Sequence, residues 1–128
     1  MARPQRPERG AAVADFAMVS VLLTVVFLAL VQLGLVLHVR NTLVSCASEG
    51  ARSGARADAV PGQAVARTRE LVSASLSERY ARSVTSREAV VDGVRVVEVE
   101  VTAPLPVLGL LGPEGRVHAV GRAFLEDQ

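Results

Sequence analysis

The chain has 128 residues, with fourteen basic and thirteen acidic side chains and a formal net charge of +1. This length suits one small domain with an anchor. The balanced charge, the absence of Trp and the single Tyr give no support for a nucleic-acid-binding surface, and the one cysteine excludes an intramolecular disulfide framework.

The N-terminus combines a short basic leader with a glycine and a lone acid. Residues 1–10 contain three arginines and end at Gly10, and Ala11 begins a run of small apolar residues. Asp15 and Phe16 follow, and no further formal charge occurs before Arg40. A carboxylate at the edge of a membrane-spanning helix is costly unless a positive group meets it. We therefore single out Asp15 as a candidate functional residue.

The apolar stretch from Phe16 to Val39 predicts a membrane-spanning helix. As an α-helix it is about 36 Å long, enough to cross a hydrocarbon core of roughly 30 Å with some tilt. We predict a transmembrane helix over residues 11–39 and an extracytoplasmic domain over residues 40–128. The arginines of the leader favour a cytoplasmic N-terminus.

A lipoprotein is an alternative to this anchored arrangement. The segment Leu43 to Cys46 resembles a bacterial lipobox, with Cys46 as the modified residue. Arg40 and Asn41 separate it from the apolar stretch, however, and a helical pattern of small residues continues through Cys46. A secretory signal peptide fits less well, because the apolar stretch is longer than the usual signal core. A third interpretation of Cys46 is a small buried side chain.

The first helix is predicted to continue to about residue 57. Its extramembrane part repeats small residues at four-residue spacing, which lets helix backbones approach closely; these residues are Ala47, Gly50, Ala51, Gly54 and Ala55. They could pack against their own domain, against neighbouring subunits, or against both at different heights. The sequence does not distinguish these alternatives.

An α+β fold is predicted beyond the first helix. A second helix over residues 63–82 follows from apolar residues at three- and four-residue steps. Alternating residues predict strands at about 84–91, 94–102 and 117–125, and Asp92–Gly93 marks a tight hairpin. The result is a roughly three-stranded antiparallel sheet. The Leu/Pro-rich loop 104–113 could fold over the sheet, meet the membrane or contact a partner, and we favour the first.

No catalytic, cofactor-binding or metal-binding constellation is recognisable in the sequence, and we expect no enzyme. His38 belongs to the apolar stretch, and His118 has no evident partner. Glu98 and Glu100 project from the same face of a strand, and we expect both to be solvated rather than to form an acid/base pair.

Taken together, these residues resemble the TadE-like proteins, pseudopilin-like components of tight-adherence (Flp-type) pilus systems. The resemblance is strongest over residues 10–57. Gly10 matches the residue before the prepilin-peptidase cut, and Phe16 matches a frequent aromatic. Asp15 occupies the position of the usual Glu, and residues 47–52 are similar to the family segment that ends in Glu-Gly-Ala-Arg.

The resemblance implies a minor pilin or pseudopilin-like subunit, cut after Gly10 by a prepilin peptidase and assembled through its N-terminal helix. Asp15 is one methylene shorter than Glu, which suits a minor role better than that of a major pilin. The implied partners are the peptidase, other pilin and Tad platform subunits, and membrane lipid. The alternatives are a non-polymerising, single-pass anchored domain and the lipoprotein modified at Cys46.

Overall fold

A computed structural model describes residues 6–106 and 115–126 of the chain. Within these residues the elements are the helices α1 (Arg6–Ala55) and α2 (Gln63–Ser75), a four-residue 3₁₀ helix (Glu78–Ala81) and the strands β1 (Ser83–Val91), β2 (Val94–Pro104) and β3 (Arg116–Phe124). The predicted α+β fold is confirmed. The Leu/Pro-rich loop prediction falls largely on residues 107–114, outside the described residues.

The chain is divided into two compact units, with the boundary between Gly34 and Leu35. The first unit holds the apolar part of α1. The second unit holds the rest of α1, α2 and the sheet. Helix α1 ends at Ala55, where the carbonyl accepts a hydrogen bond from Glu126 N at 2.9 Å and the Glu126 carboxylate accepts one from Ala57 N at 3.2 Å. The segment after β3 thus caps the C-terminal end of α1.

Helix α2 is shorter than predicted. The sequence pattern suggests a helix to residue 82, but α2 ends at Ser75, and the backbone of Leu76 (φ −123°, ψ −93°) leaves the helical region. Leu76 and Tyr80 nevertheless pack against the buried core. The break lets both side chains reach the core, and the serines on either side of Leu76 favour non-helical backbone.

The three strands form an antiparallel sheet in the order β1-β2-β3. Asp92 (φ 52°) and Gly93 (φ 80°) form the two-residue turn between β1 and β2, and positive φ at both positions is typical of a type I′ hairpin. One face of the sheet buries Val97, Val99 and Val101 in the core of the second unit. The other face of the sheet carries the polar residues of β2.

Gly121 in β3 sets how closely the sheet approaches α1. A Cβ atom at this position would collide with Ser48 N and with the Ala47 carbonyl carbon. Both atoms belong to the backbone of a helix and cannot rotate away. Only glycine therefore allows β3 to lie directly on α1.

We predict that Gly121→Ala destabilises the second unit by at least about 2 kcal/mol, because a methyl group there forces the helix and sheet apart. Thermal unfolding of the full chain in detergent micelles, followed by circular dichroism, measures the effect. Gly34→Ala is the matched control, since a Cβ at Gly34 meets no atom within 4 Å. Equal melting temperatures for the two variants would contradict the close approach.

Candidate functional site

The candidate processing and assembly residues lie on consecutive turns near the start of α1. Gly10, Ala11, Asp15 and Phe16 are all exposed, and a Cβ added at Gly10 would meet no atom within 4 Å. The structure therefore places the predicted cut site on an accessible backbone segment. It also places Asp15 at the boundary between that segment and the charge-free part of the helix.

Apolar side chains cover the whole circumference of α1 beyond Asp15. Phe16 is 74 % exposed, and large apolar side chains point outward on every turn as far as Leu33. The most apolar window of this helix has a mean hydropathy of 2.6, and none of that window is buried inside the chain. Thr24 donates its hydroxyl proton to the Ser20 carbonyl at 2.8 Å, so this polar side chain is satisfied within the helix. This part of α1 is long and apolar enough to span a membrane.

The five small residues of α1 pack inside the second unit. Ala47, Ala51 and Ala55 are almost completely inaccessible to solvent. An added Cβ would collide with Thr68 Oγ1 at Gly50, and would lie 2.5 Å from the Ala64 Cβ at Gly54. These contacts correspond to the first of the three alternatives, packing within the chain's own domain.

Cys46 belongs to the same buried surface of α1. Its side chain is 6 % exposed and forms part of the hydrophobic core with Leu43 and Ala47. The helix continues without interruption on both sides of it. Lipid attachment at Cys46 would require the thiol to leave this core, so the geometry favours the small buried side chain among the interpretations of Cys46.

The expectation that Glu98 is solvated is wrong. Glu98 is 4 % exposed although it lies on the open face of the sheet. Directly opposite it on the neighbouring strands are Arg87 and Arg122. Arg87 donates from Nε (2.9 Å) and Nη2 (2.6 Å) to Glu98 Oε1, and Arg122 donates from Nε to Glu98 Oε2 at 2.6 Å. The two guanidinium groups therefore shield the carboxylate from water and satisfy both of its oxygens.

His118 has two polar neighbours that the sequence analysis did not identify, whereas Glu100 keeps a partly solvated side chain, 42 % exposed. His118, expected to have no partner, lies with Nε2 3.5 Å from Glu100 Oε1 and Nδ1 3.3 Å from Thr102 Oγ1. These three groups are exposed or half-buried on the open sheet face. Within residues 6–106 and 115–126, no group of His, Cys, Asp and Glu side chains could hold a metal ion.

Residues 10–52 match the model of the family described as TadE-like protein. The resemblance predicted from the sequence is confirmed over this segment, which begins at the candidate cut site and ends in the packed part of α1. No curated protein and no solved structure matches this chain.

Sequence reasoning missed the Arg87–Glu98–Arg122 row. The Arg87–Glu98 pair could have been predicted from the sequence, because the Asp92–Gly93 turn fixes Arg87 opposite Glu98 once the hairpin is predicted. The position of Arg122 depends on the register of β3, which the preceding loop does not reveal. Gly121 was missed as well, since a glycine in a strand indicates close approach but not its partner.

The Arg87–Glu98–Arg122 row predicts that the stability of the second unit decreases at acidic pH. Hydrogen bonds from Arg122 and Arg87 hold the pKa of the Glu98 carboxyl below its ordinary value of 4.5. Because the folded-state pKa is the lower one, the stabilisation is complete above pH 4.5 and is lost as the pH falls through the folded-state value. Glu98→Gln should therefore lower the melting temperature at pH 7, and the difference from the unmodified chain should shrink under acid conditions.

Glu88→Gln is the control for this effect. Glu88 pairs with Arg95 at 3.0 Å, but both side chains are more than half exposed. Exposed ion pairs contribute little to stability. The melting temperature of this variant should therefore stay close to that of the unmodified chain at every pH measured. Melting curves of the full chain in micelles across this pH range provide the measurement. A loss for Glu98→Gln that is independent of pH would contradict the charge-based account.

Proposed function

We propose that the chain is a minor pilin or pseudopilin-like subunit of a tight-adherence type IV pilus or a related secretion machine. The observation that carries the proposal is the TadE-like match, which begins at Gly10 and includes the exposed apolar part of α1. The proposal assigns the chain an assembly role and no catalytic activity. The N-terminus lies in the cytoplasm and the second unit lies outside it.

Maturation begins with a prepilin peptidase that cuts after Gly10. The cut removes the leader and creates a positively charged amine at Ala11, one helical turn before Asp15. In a membrane environment a pair of opposite charges offsets much of the cost of leaving either one alone. The pair can form within one subunit or between the amine of one subunit and the carboxylate of its neighbour.

Assembly contacts are proposed along the exposed apolar part of α1. The five small residues of its second part are already occupied by α2 and the sheet. None of the most apolar window of the first part is buried inside the described chain. Other pilin-like subunits, Tad platform proteins and membrane lipid are the proposed partners for this surface.

We predict that the protein isolated from its host begins at Ala11. Intact-mass spectrometry of the membrane fraction measures this directly, because loss of residues 1–10 changes the mass by the whole leader. A host that lacks the prepilin peptidase is the control and should yield the uncut chain. An uncut chain in cells that build the pilus would contradict maturation and favour the single-pass anchored domain that does not polymerise.

We also predict that Asp15→Ala inserts into the membrane but assembles poorly, since the amine of Ala11 then lacks its carboxylate. Co-purification with pilus or platform proteins after crosslinking provides the measurement. Glu8→Ala is the matched control: it removes the same charge from α1, but the cut removes residue 8, so its mature form is identical to the unmodified subunit. Normal incorporation of Asp15→Ala would show that the charge pair is not required.

A further inference from the structure

Three arginines surround one concavity at an end of the sheet. Arg79 belongs to the 3₁₀ helix, Arg82 directly precedes β1, and Arg116 begins β3. The concavity has a volume of about 440 Å³, and Ser83 contributes a hydroxyl to its lining, which also includes Thr102, Ala103 and Pro104. Side chains that are far apart in sequence therefore meet here because β1, β2 and β3 align in register.

This cluster is positive and is not neutralised within the described chain. Among residues 6–106 and 115–126, no carboxylate lines the concavity. Six of the other eight arginines of the second unit form ion pairs; these are Arg52, Arg56, Arg67, Arg87, Arg95 and Arg122. Arg79, Arg82 and Arg116 form none with residues that the structure describes, and Arg79 instead lies 5.5 Å from the Tyr80 ring centroid. Three guanidinium groups beside a hydroxyl group form a donor set suited to a phosphate group.

The location of the cluster follows from the alignment of β3 with α1. Gly121 lies against Ala47 and Ser48, and Glu126 is hydrogen-bonded to Ala55, so β3 and α1 run in the same direction. Arg116 precedes Gly121 by five residues, which is a distance of about 16 Å along the strand. The same distance along α1 corresponds to roughly eleven residues before Ala47 and Ser48. Arg116 therefore lies level with the part of α1 just after Leu35, where the second unit begins.

Arg40 adds a further positive charge at the same end of the second unit. It is exposed on α1 and is the first charged residue after the apolar stretch. The chain enters the second unit at this end, directly from the apolar stretch, and lipid headgroups lie next to the end of that stretch when it spans a bilayer. Basic side chains close to an anionic membrane surface attract it, and the attraction falls off within a Debye length of about 10 Å. The concavity is thus at the end of the unit where lipid phosphates are available.

We propose that Arg79, Arg82 and Arg116 form a binding site for the phosphate headgroup of anionic phospholipids. The site orients the second unit on the membrane surface before assembly. This inference rests on the membrane anchoring in the proposed function, but it does not require the cut after Gly10 or the charge pair at Asp15.

Native mass spectrometry of the full chain in detergent micelles tests the site. The protein is mixed with equal amounts of phosphatidylglycerol and phosphatidylcholine, and the ratio of the two bound lipids is measured. The unmodified chain should retain phosphatidylglycerol preferentially. The triple variant R79Q/R82Q/R116Q should lower that preference about tenfold or more, because each arginine near the surface contributes to anion binding.

The triple variant R67Q/R69Q/R95Q is the matched control. It removes the same charge from α2 and from the hairpin end of the sheet, and it should retain the preference of the unmodified chain. Equal melting temperatures confirm that both variants fold. Absence of a preference in the unmodified chain, or an equal loss in both variants, would overturn the headgroup site.

Inorganic phosphate in excess distinguishes a lipid site from a site for a free anion. If excess inorganic phosphate weakens phosphatidylglycerol binding but leaves the preference for this lipid over phosphatidylcholine, the site recognises the phosphate of the lipid headgroup. An arginine-dependent phosphate adduct without any preference for phosphatidylglycerol would overturn the lipid assignment. The same spectra report whether the chain begins at Met1 or Ala11, so failure of the lipid site and failure of the proposed maturation are separate results.

Discussion

Close backbone contact along the second part of α1 is the constraint on which the domain depends. Gly50 and Gly54 admit α2, and Gly121 admits β3, at distances that leave no room for a Cβ atom. A side chain at any of these positions would separate elements that share one core. The small core residues of the helix, such as Ala51, complete this contact. The same helix therefore serves as an apolar rod in the first unit and as the central core element in the second.

Arginine side chains have different surroundings in two regions of the sheet. In the middle of the open face, Glu98 is enclosed by two arginines, which makes a buried carboxylate compatible with a stable sheet. Beside the start of β3, the concavity next to Arg116 is lined by three arginines and, within the part of the chain that the structure describes, by no carboxylate. The first arrangement stabilises the fold, and the second leaves positive charge available to an external anion. One residue type thus has two roles in the same small domain.

The sequence predicts most of the element order because its patterns are local. Alternating valines predict β2, and Asp92–Gly93 predicts the hairpin. The register of that hairpin implies Arg87 opposite Glu98, a pair that the sequence analysis did not identify. The rest depends on contacts between distant segments. Four-residue spacing of small residues is the same for packing within a chain and between chains, so it could not assign the partner of Gly50. The end of α2 and the pairing of Arg122 likewise follow from tertiary packing, which sequence periodicity does not encode.

Helix α1 changes along its length from an exposed apolar helix to the core of a folded domain. Nuclear magnetic resonance of the full chain in micelles, with one paramagnetic probe in the detergent and another in water, measures this change. The detergent probe should broaden amide signals from Phe16 to Leu33 without a helical period. The water probe should broaden signals beyond Arg40 with a helical period, since only one face remains exposed. A protected face within residues 16–33 of the monomer, or uniform water exposure of residues 41–55, would contradict the account.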